Sequence, residues 1–274
     1  MIRIGNILGL FGNSVAVLGN PIPIPPPVPK PDASGGTVTY DGDYAIHTFS
    51  SSGDFIANKD LSINILVVAG GGAGGECQSN TKYSAGGGGA GGVSYKEGYS
   101  LSSGTYAVTI GEGGQTNHAN GENSSFGALF LAYGGGGGGY TGGGEPGVYA
   151  GADGGSGGGG AGNADTEQSS TYGSSVAGTA THYGNRGAGG TYFGLYGYGG
   201  GGGGAGGAGG GYGKPGAGFT SSISGTSKTY ACGGAAYDEQ ALINIAGNGG
   251  IGEYMYRNWG KGFKGIVIIR YKYK

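Results

Sequence analysis

Charge is scarce in this sequence, and cysteine, histidine and helix-forming runs are scarcer still. Only 11% of the 274 residues are Asp, Glu, Lys or Arg, and the formal net charge is −2. The basic residues are scattered apart from Arg270, Lys272 and Lys274, so the basic footprint of a nucleic-acid-binding protein is missing. Two cysteines, Cys77 and Cys232, lie far apart in glycine-rich stretches. They could form one disulfide, but two free thiols made in a reducing cytoplasm is the simpler reading. The three histidines, His47, His118 and His182, are equally dispersed, and with two cysteines they make no metal pattern. Asp41 and Asp43 in YDGDY read as an Asp-Gly turn in preference to a calcium loop. No apolar stretch reaches transmembrane length. The opening MIRIGNILGLFGNSVAVLGN is interrupted by Gly-Asn pairs and lacks a small-residue cleavage site, which argues against a secretory leader. With so much glycine, G-x-G-x-x-G matches arise by chance, and none ends in the GK[ST] of a phosphate-binding loop. No spacing supports a Ser/His/Asp set or a working carboxylate pair. The chain therefore reads as non-enzymatic, with no catalytic residues, no cofactor and no metal.

What is abundant is glycine, at 76 positions, together with 21 Tyr and 8 Phe. Glycine at this level points first to low complexity or disorder. The aromatics argue for order, and charge is too sparse to hold the chain open by self-repulsion. Ordering glycine is entropically expensive, on the order of 1–2 kcal/mol of backbone entropy per residue. Side chains cannot offset it, so backbone hydrogen bonds must, at about 0.5–1.5 kcal/mol net each, aided by Cα–H···O contacts. An α-helix is a poor host for glycine. A left-handed helix with three residues per turn, of the polyproline II type, has no internal hydrogen bonds and presents its N–H and C=O groups outward. Such helices can bond one another side by side when no side chain keeps them apart. The runs GGGGGG at 134–139, GGSGGGGAG at 154–162 and GYGGGGGGAGGAGGGYG at 197–213 suit this packing. They follow no strict Gly-X-Y period, which excludes collagen.

Around these runs the pattern is β. The stretches 37–42, 44–50, 54–57, 61–69, 104–110, 128–132 and 265–273 are alternating or fully apolar, separated by Asp-Gly and Ser-Gly turns. ILVVA at 65–69 and IVIIR at 266–270 are the most apolar and are expected as central strands that pair or face each other. DEQALINIA at 238–246 is the sole helix candidate. The expected fold is mainly β: a β-sandwich or jelly-roll-like scaffold carrying an insertion of packed polyglycine II-type helices and loops. The expected divisions are an N-terminal anchor arm at 1–20, a proline-rich stalk at 21–35 (PIPIPPPVPKP), and a glycine-rich β domain at 36–274. Within that domain the scaffold is placed at 36–133 plus 263–274, and the glycine slab at 134–262.

Several pieces recur here in a familiar order: HTF at 47–49, GDF at 53–55, ILVVAGGGAGG at 65–75, GTYAVTIGEGG at 104–114, NGENSSFG at 120–127, GGSGGGGAG and GIVIIRY. Over about 36–273 the chain resembles the glycine-rich domain family common in bacteriophage tail and fibre proteins. More loosely, by composition, it is similar to the polyglycine-sandwich adhesins at the tips of long tail fibres. The resemblance implies a virion protein made in the host cytoplasm, non-enzymatic, whose variable loops bind a host surface glycan or outer-membrane protein. It also implies a homotrimer, the usual state of phage fibres, although fibre-tip adhesins can also be single-copy.

On this reading the arm residues Ile2, Ile4, Ile7, Leu8, Leu10 and Phe11 anchor the chain to other virion proteins. The rings that punctuate the glycine runs are candidate receptor contacts: Tyr140, Tyr149, Tyr183, Tyr192, Phe193, Tyr196, Tyr198 and Tyr212, with Asn185 and Arg186 beside them. Tyrosine offers rigid contact area and a hydroxyl at small entropic cost. The 182–199 stretch, HYGNRGAGGTYFGLYGYG, has the densest mixture of rings and polar groups. The same rings equally suit a role in capping the glycine layer against water. Two other assignments fit the composition: a capsid fibre or decoration protein with a purely structural role, and an ice-binding or cell-surface glycine-rich protein.

Overall fold

The computed structural model of the chain describes residues 32–77, 83–141, 150–162, 181–193, 196–236, 245–253 and 259–274. The anchor residues at 2–11, Tyr149 and most of the 238–246 helix candidate lie outside these residues. No helix occurs among the described residues.

Two antiparallel sheets form a sandwich. One has five strands in the order β1 (Ala33–Ser34), β4 (Gly53–Ala57), β7 (Gly104–Thr109), β8 (Ser124–Phe126) and β9 (Phe130–Ala132). The other has six, in the order β10 (Thr181–Tyr183), β6 (Val93–Leu101), β5 (Leu61–Val68), β15 (Ile266–Lys272), β3 (Tyr44–Phe49) and β2 (Thr37–Asp41). The two most apolar segments are indeed adjacent and central: Val68 pairs with Ile266 and Ile65 with Ile269. Ile63, Ile65, Val67, Val267 and Ile269 point between the sheets, against Phe55, Val108, Phe126 and Phe130. Leu66, Val68 and Ile268 point the other way, beneath a hairpin of β13 (Phe219–Ser221) and β14 (Lys228–Tyr230). Burial on both faces explains why these strands read as unbroken apolar runs and not as an alternation.

Two boundaries and one strand differ from expectation. The proline-rich stretch does not extend to residue 35, because Ala33 and Ser34 already pair with Ala57 and Ile56. Strand β6 is hidden in VSYKEGYSL, where Lys96, Glu97 and Gly98 break the apolar pattern. It carries a bulge opposite Asn64, with Gly98 at φ 60 and its N–H donated to Asn64 Oδ1 at 2.9 Å. The glycine helices, finally, are not confined to 134–262. Runs 69–76, 84–92 and 111–123 belong to the same lattice, because the strands beside them run straight into it.

That continuity is the main feature of the architecture. At one end of the six-stranded sheet, Val68, Val93, Ile266 and Tyr183 lie in register, and past each of them the chain becomes glycine-rich. The runs that follow bond with a three-residue period. Amides 84, 87 and 90 donate to carbonyls 197, 200 and 203; amides 85, 88 and 91 donate to 253, 250 and 247; amides 86, 89 and 92 donate to 139, 136 and 133. Carbonyls of the same run accept from 75, 72 and 69, from 162, 159 and 156, and from Gly234. The run 84–92 thus sits among six neighbours, as a threefold helix with outward-pointing polar groups must. Run 69–75 repeats the scheme, donating at distances of 2.8–3.1 Å to 92, 89 and 86, to 122 and 119, and to 263 and 260. These are the expected polyglycine II-type helices.

The spacing forbids side chains. A Cβ added to Gly88 would lie 2.2 Å from the Gly72 carbonyl oxygen, and one on Gly138 2.0 Å from that of Gly86. The hydrogen in that position instead points at the carbonyl, as in the close Cα–H···O contacts of adjacent strands. Where the lattice has a border, side chains finish it. Asn123 and Asn120, three residues apart, accept from the N–H groups of Gly134 and Gly137 at 2.9 Å.

His47 is fully buried in the sandwich. It bonds the Gly35 carbonyl at 2.7 Å through Nδ1 and lies 3.3 Å from the Tyr271 hydroxyl through Nε2. Burial holds its pKa below the usual value, against the opposing pull of the Gly35 carbonyl.

Two predictions arise from this architecture. Gly88→Ala should destabilise the fold by about 1–3 kcal/mol or more, as overpacking does. Gly53→Ala, where a Cβ meets nothing within 4 Å, should stay within about 0.5 kcal/mol of wild type in chemical denaturation. For His47 the folded pKa is depressed, so the unfolded chain binds the proton first. The stability it contributes is whole above its ordinary pKa of 6.5 and declines as pH falls below that value. The melting midpoint should therefore fall between about pH 7 and pH 5.5, and His47→Gln should flatten that slope.

Candidate functional site

The lattice has two ends. One is continuous with the sheets. At the other, the runs 69–77, 133–141 and 245–253 finish and 84–92 begins. There Thr141 donates its N–H to Glu76 O at 3.1 Å, and Cys77 bridges to Thr141 and Tyr83 to Gly197. Several side chains at this far end are tied down. The Cys77 thiol donates to Tyr83 O at 3.1 Å and accepts from Thr141 Oγ1 at 3.2 Å. The Cys77 N–H donates to Glu253 Oε2 at 2.8 Å. Burial pushes the Glu253 carboxyl up, partly countered by that amide. Neither cysteine stands in a disulfide, and burial raises the pKa of Cys232.

The candidate rings divide between the two ends. Hairpin β11 (Thr191–Phe193) and β12 (Tyr196–Tyr198) stands at the far end, with Thr191 opposite Tyr198. Tyr196 is 46% exposed and Tyr212 48%. Tyr198 is half-buried, with its ring centroid 5.4 Å from that of Tyr212. Tyr140 is also half-buried at this end, 5.4 Å from the ring of His118. His118 in turn holds the Gly138 carbonyl at 2.7 Å through Nδ1. The backbones of Tyr192 and Phe193 lie in β11; their side chains, like the whole of Tyr149, are outside the description.

Tyr183 and Asn185 sit at the opposite end, beside the sheets. Tyr183 is opposite Val93, and its ring packs 4.5 Å from that of Phe219 in the second core. Asn185 donates from Nδ2 to the carbonyls of Gly204 at 2.8 Å and Ala205 at 3.2 Å, while its own carbonyl accepts from Gly157. Its side chain thus ties its own segment to the 199–206 glycine run. Arg186 is exposed, and its carbonyl accepts from Gly209. The 182–199 stretch is therefore not one surface: it spans the lattice from end to end.

Tyr83 is a far-end ring that the composition-based reading passed over. Its signal is positional. It stands one residue before SAGGGGAGG, at the mouth of the central glycine run, where strap residues are needed.

Residues 50–272 match the family described as a glycine-rich domain. The chain belongs to that family. The match begins just after β3 and ends in the last strand, so it takes in strands β4 to β15 and the lattice between them, and leaves out β1, β2 and β3. A search of the curated proteins matches none.

Within this family member, Asn185 and Tyr196 have separable roles. Asn185→Ala should cost about 1–3 kcal/mol in a denaturation experiment, through carbonyls left unsatisfied. Tyr196→Ala, an exposed position, should leave the midpoint within the error of the measurement.

Proposed function

We propose that this chain is a bacteriophage virion protein, a tail-fibre or fibre-tip adhesin without enzymatic activity, and that the far end of its lattice touches the host surface. The observation that carries this reading is the placement of Tyr83, Tyr140, Tyr196, Tyr198 and Tyr212 at the end of a backbone array remote from the sheets. Rings on a backbone already held by lateral hydrogen bonds lose little freedom on contact. A glycan or an exposed loop of an outer-membrane protein suits their mixture of apolar face and hydroxyl. In this proposal the N-terminal arm joins the chain to other virion proteins, and a homotrimer supplies avidity. The membership of a glycine-rich domain family is consistent with such a role and also accommodates a decoration protein.

The test is adsorption. Particles carrying Tyr196→Ala together with Tyr212→Ala should adsorb to host cells at least tenfold more slowly, with the protein incorporated at the normal level and its melting midpoint unchanged. Unaltered adsorption would overturn the adhesin reading in favour of a structural virion part, for which deletion of residues 1–31 would abolish incorporation while the ring variants stayed silent.

A further inference from the structure

On the outer face of the six-stranded sheet, the β13–β14 hairpin covers Leu66, Val68, Val93 and Ile268. It stops one row short. The next row on the same face is mostly polar: Arg270 on β15 lies opposite Asn64 on β5, with Glu97 in the β6 bulge to one side; on the other side, past the buried Ile46 of β3, Asp41 on β2 reaches Arg270 from the following row. Between this row and the hairpin lies an open cleft of about 560 Å³, with Tyr95 and Phe219 in its lining.

Each polar group here is held by one partner and keeps another atom for a ligand. Asn64 Oδ1 accepts from the Gly98 N–H at 2.9 Å, which leaves the carboxamide NH₂ to donate. Glu97 Oε1 accepts from the Tyr95 hydroxyl at 2.5 Å, which leaves Oε2. Arg270 Nη1 is paired with Asp41 Oδ2 at 2.8 Å, and its guanidinium lies 4.3 Å from the centroid of the Tyr44 ring. The floor therefore sets two adjacent donors, Asn64 and Arg270, between two acceptors, Glu97 and Asp41, each held by a neighbour as a preorganised site requires. The rings of Tyr95 and Phe219, with centroids 5.6 Å apart, offer apolar surface beside them. One cation against two carboxylates leaves a small negative excess, which does not favour an anion. Neighbouring donors and acceptors beside aromatic faces match a sugar, whose ring offers equatorial hydroxyls at its rim and C–H groups on its faces.

We propose that this cleft binds a neutral saccharide, at a site on the scaffold separate from the tyrosines at the far end of the lattice. The proposal does not depend on the adhesin reading, because it rests on different residues.

The experiment uses the full chain and neutral tri- and tetrasaccharides of glucose, galactose, mannose and N-acetylglucosamine. Saturation-transfer difference NMR should show transfer to at least one of them, and titration should then give its affinity. Glu97→Ala removes an acceptor. Asn64→Asp keeps the oxygen that holds Gly98 and removes the donor. Each should weaken binding of that saccharide about tenfold or more with an unchanged melting midpoint, whereas Tyr196→Ala with Tyr212→Ala should leave it unaltered. No transfer to any of the saccharides, or full affinity retained in both cleft variants, would overturn the proposal.

Discussion

The structure depends on one interaction: the lateral N–H···O=C bond between chains that carry no side chains. A threefold helix cannot bond to itself, so every polar group must find a neighbour, and only a set of helices packed on all sides supplies enough of them. Run 84–92 meets this requirement with nine consecutive amides donated outward in a strict period of three. The glycine content follows from the geometry and not the reverse. Where a carbonyl oxygen stands about 2 Å from the place a Cβ would take, no other residue fits. Alanine enters the array at positions such as Ala73, Ala85 and Ala90, which are themselves fully buried.

The sandwich is what makes such an array possible. Glycine helices have no apolar face and so gain little from the hydrophobic effect. The two sheets have a core of Ile, Val and Phe between them, and hydrogen-bonded strands already stand at the separation of about 4.7–4.9 Å that side-by-side backbones need. Registering Val68, Val93 and Ile266 at one level therefore starts three glycine runs side by side. The hairpin β13–β14 does the same for a further pair, since Gly218 precedes Phe219 and Ala231 follows Tyr230.

Much of this could be read from residue order. The two apolar segments near opposite ends of the chain marked the central strands, and the shortage of helix formers beside long glycine tracts pointed to polyglycine II-type packing. Strand β6 was illegible because its bulge places Lys96, Glu97 and Gly98 in mid-strand, and only the partner Asn64 explains them. The extent of the lattice was illegible for a different reason: ILVVAGGGAGG reads as a strand and its turn, yet the glycines continue the strand's direction as a helix. The candidate surface was legible by residue type and not by place. Tyr183 and Tyr196 look alike in sequence, but one packs on Phe219 and the other stands exposed at the opposite end. The cleft beside Arg270 gave no signal at all, since its floor comes from four strands far apart in the chain.

The six-neighbour bonding of the central runs 69–75 and 84–92 also bears on how the chain reaches its native state. Run 69–75 is completed only by partners near residues 89, 114, 119, 136, 251 and 262, so almost none of its bonds are local. Loop-closure entropy must be overcome many times before any single run is satisfied, and topologies of this kind fold slowly. A half-assembled array would leave rows of amides facing one another unbonded, which makes partial order costly at every stage. Closing the array also needs the segment just ahead of β15, whose carbonyls 260 and 263 accept from Gly74 and Gly71.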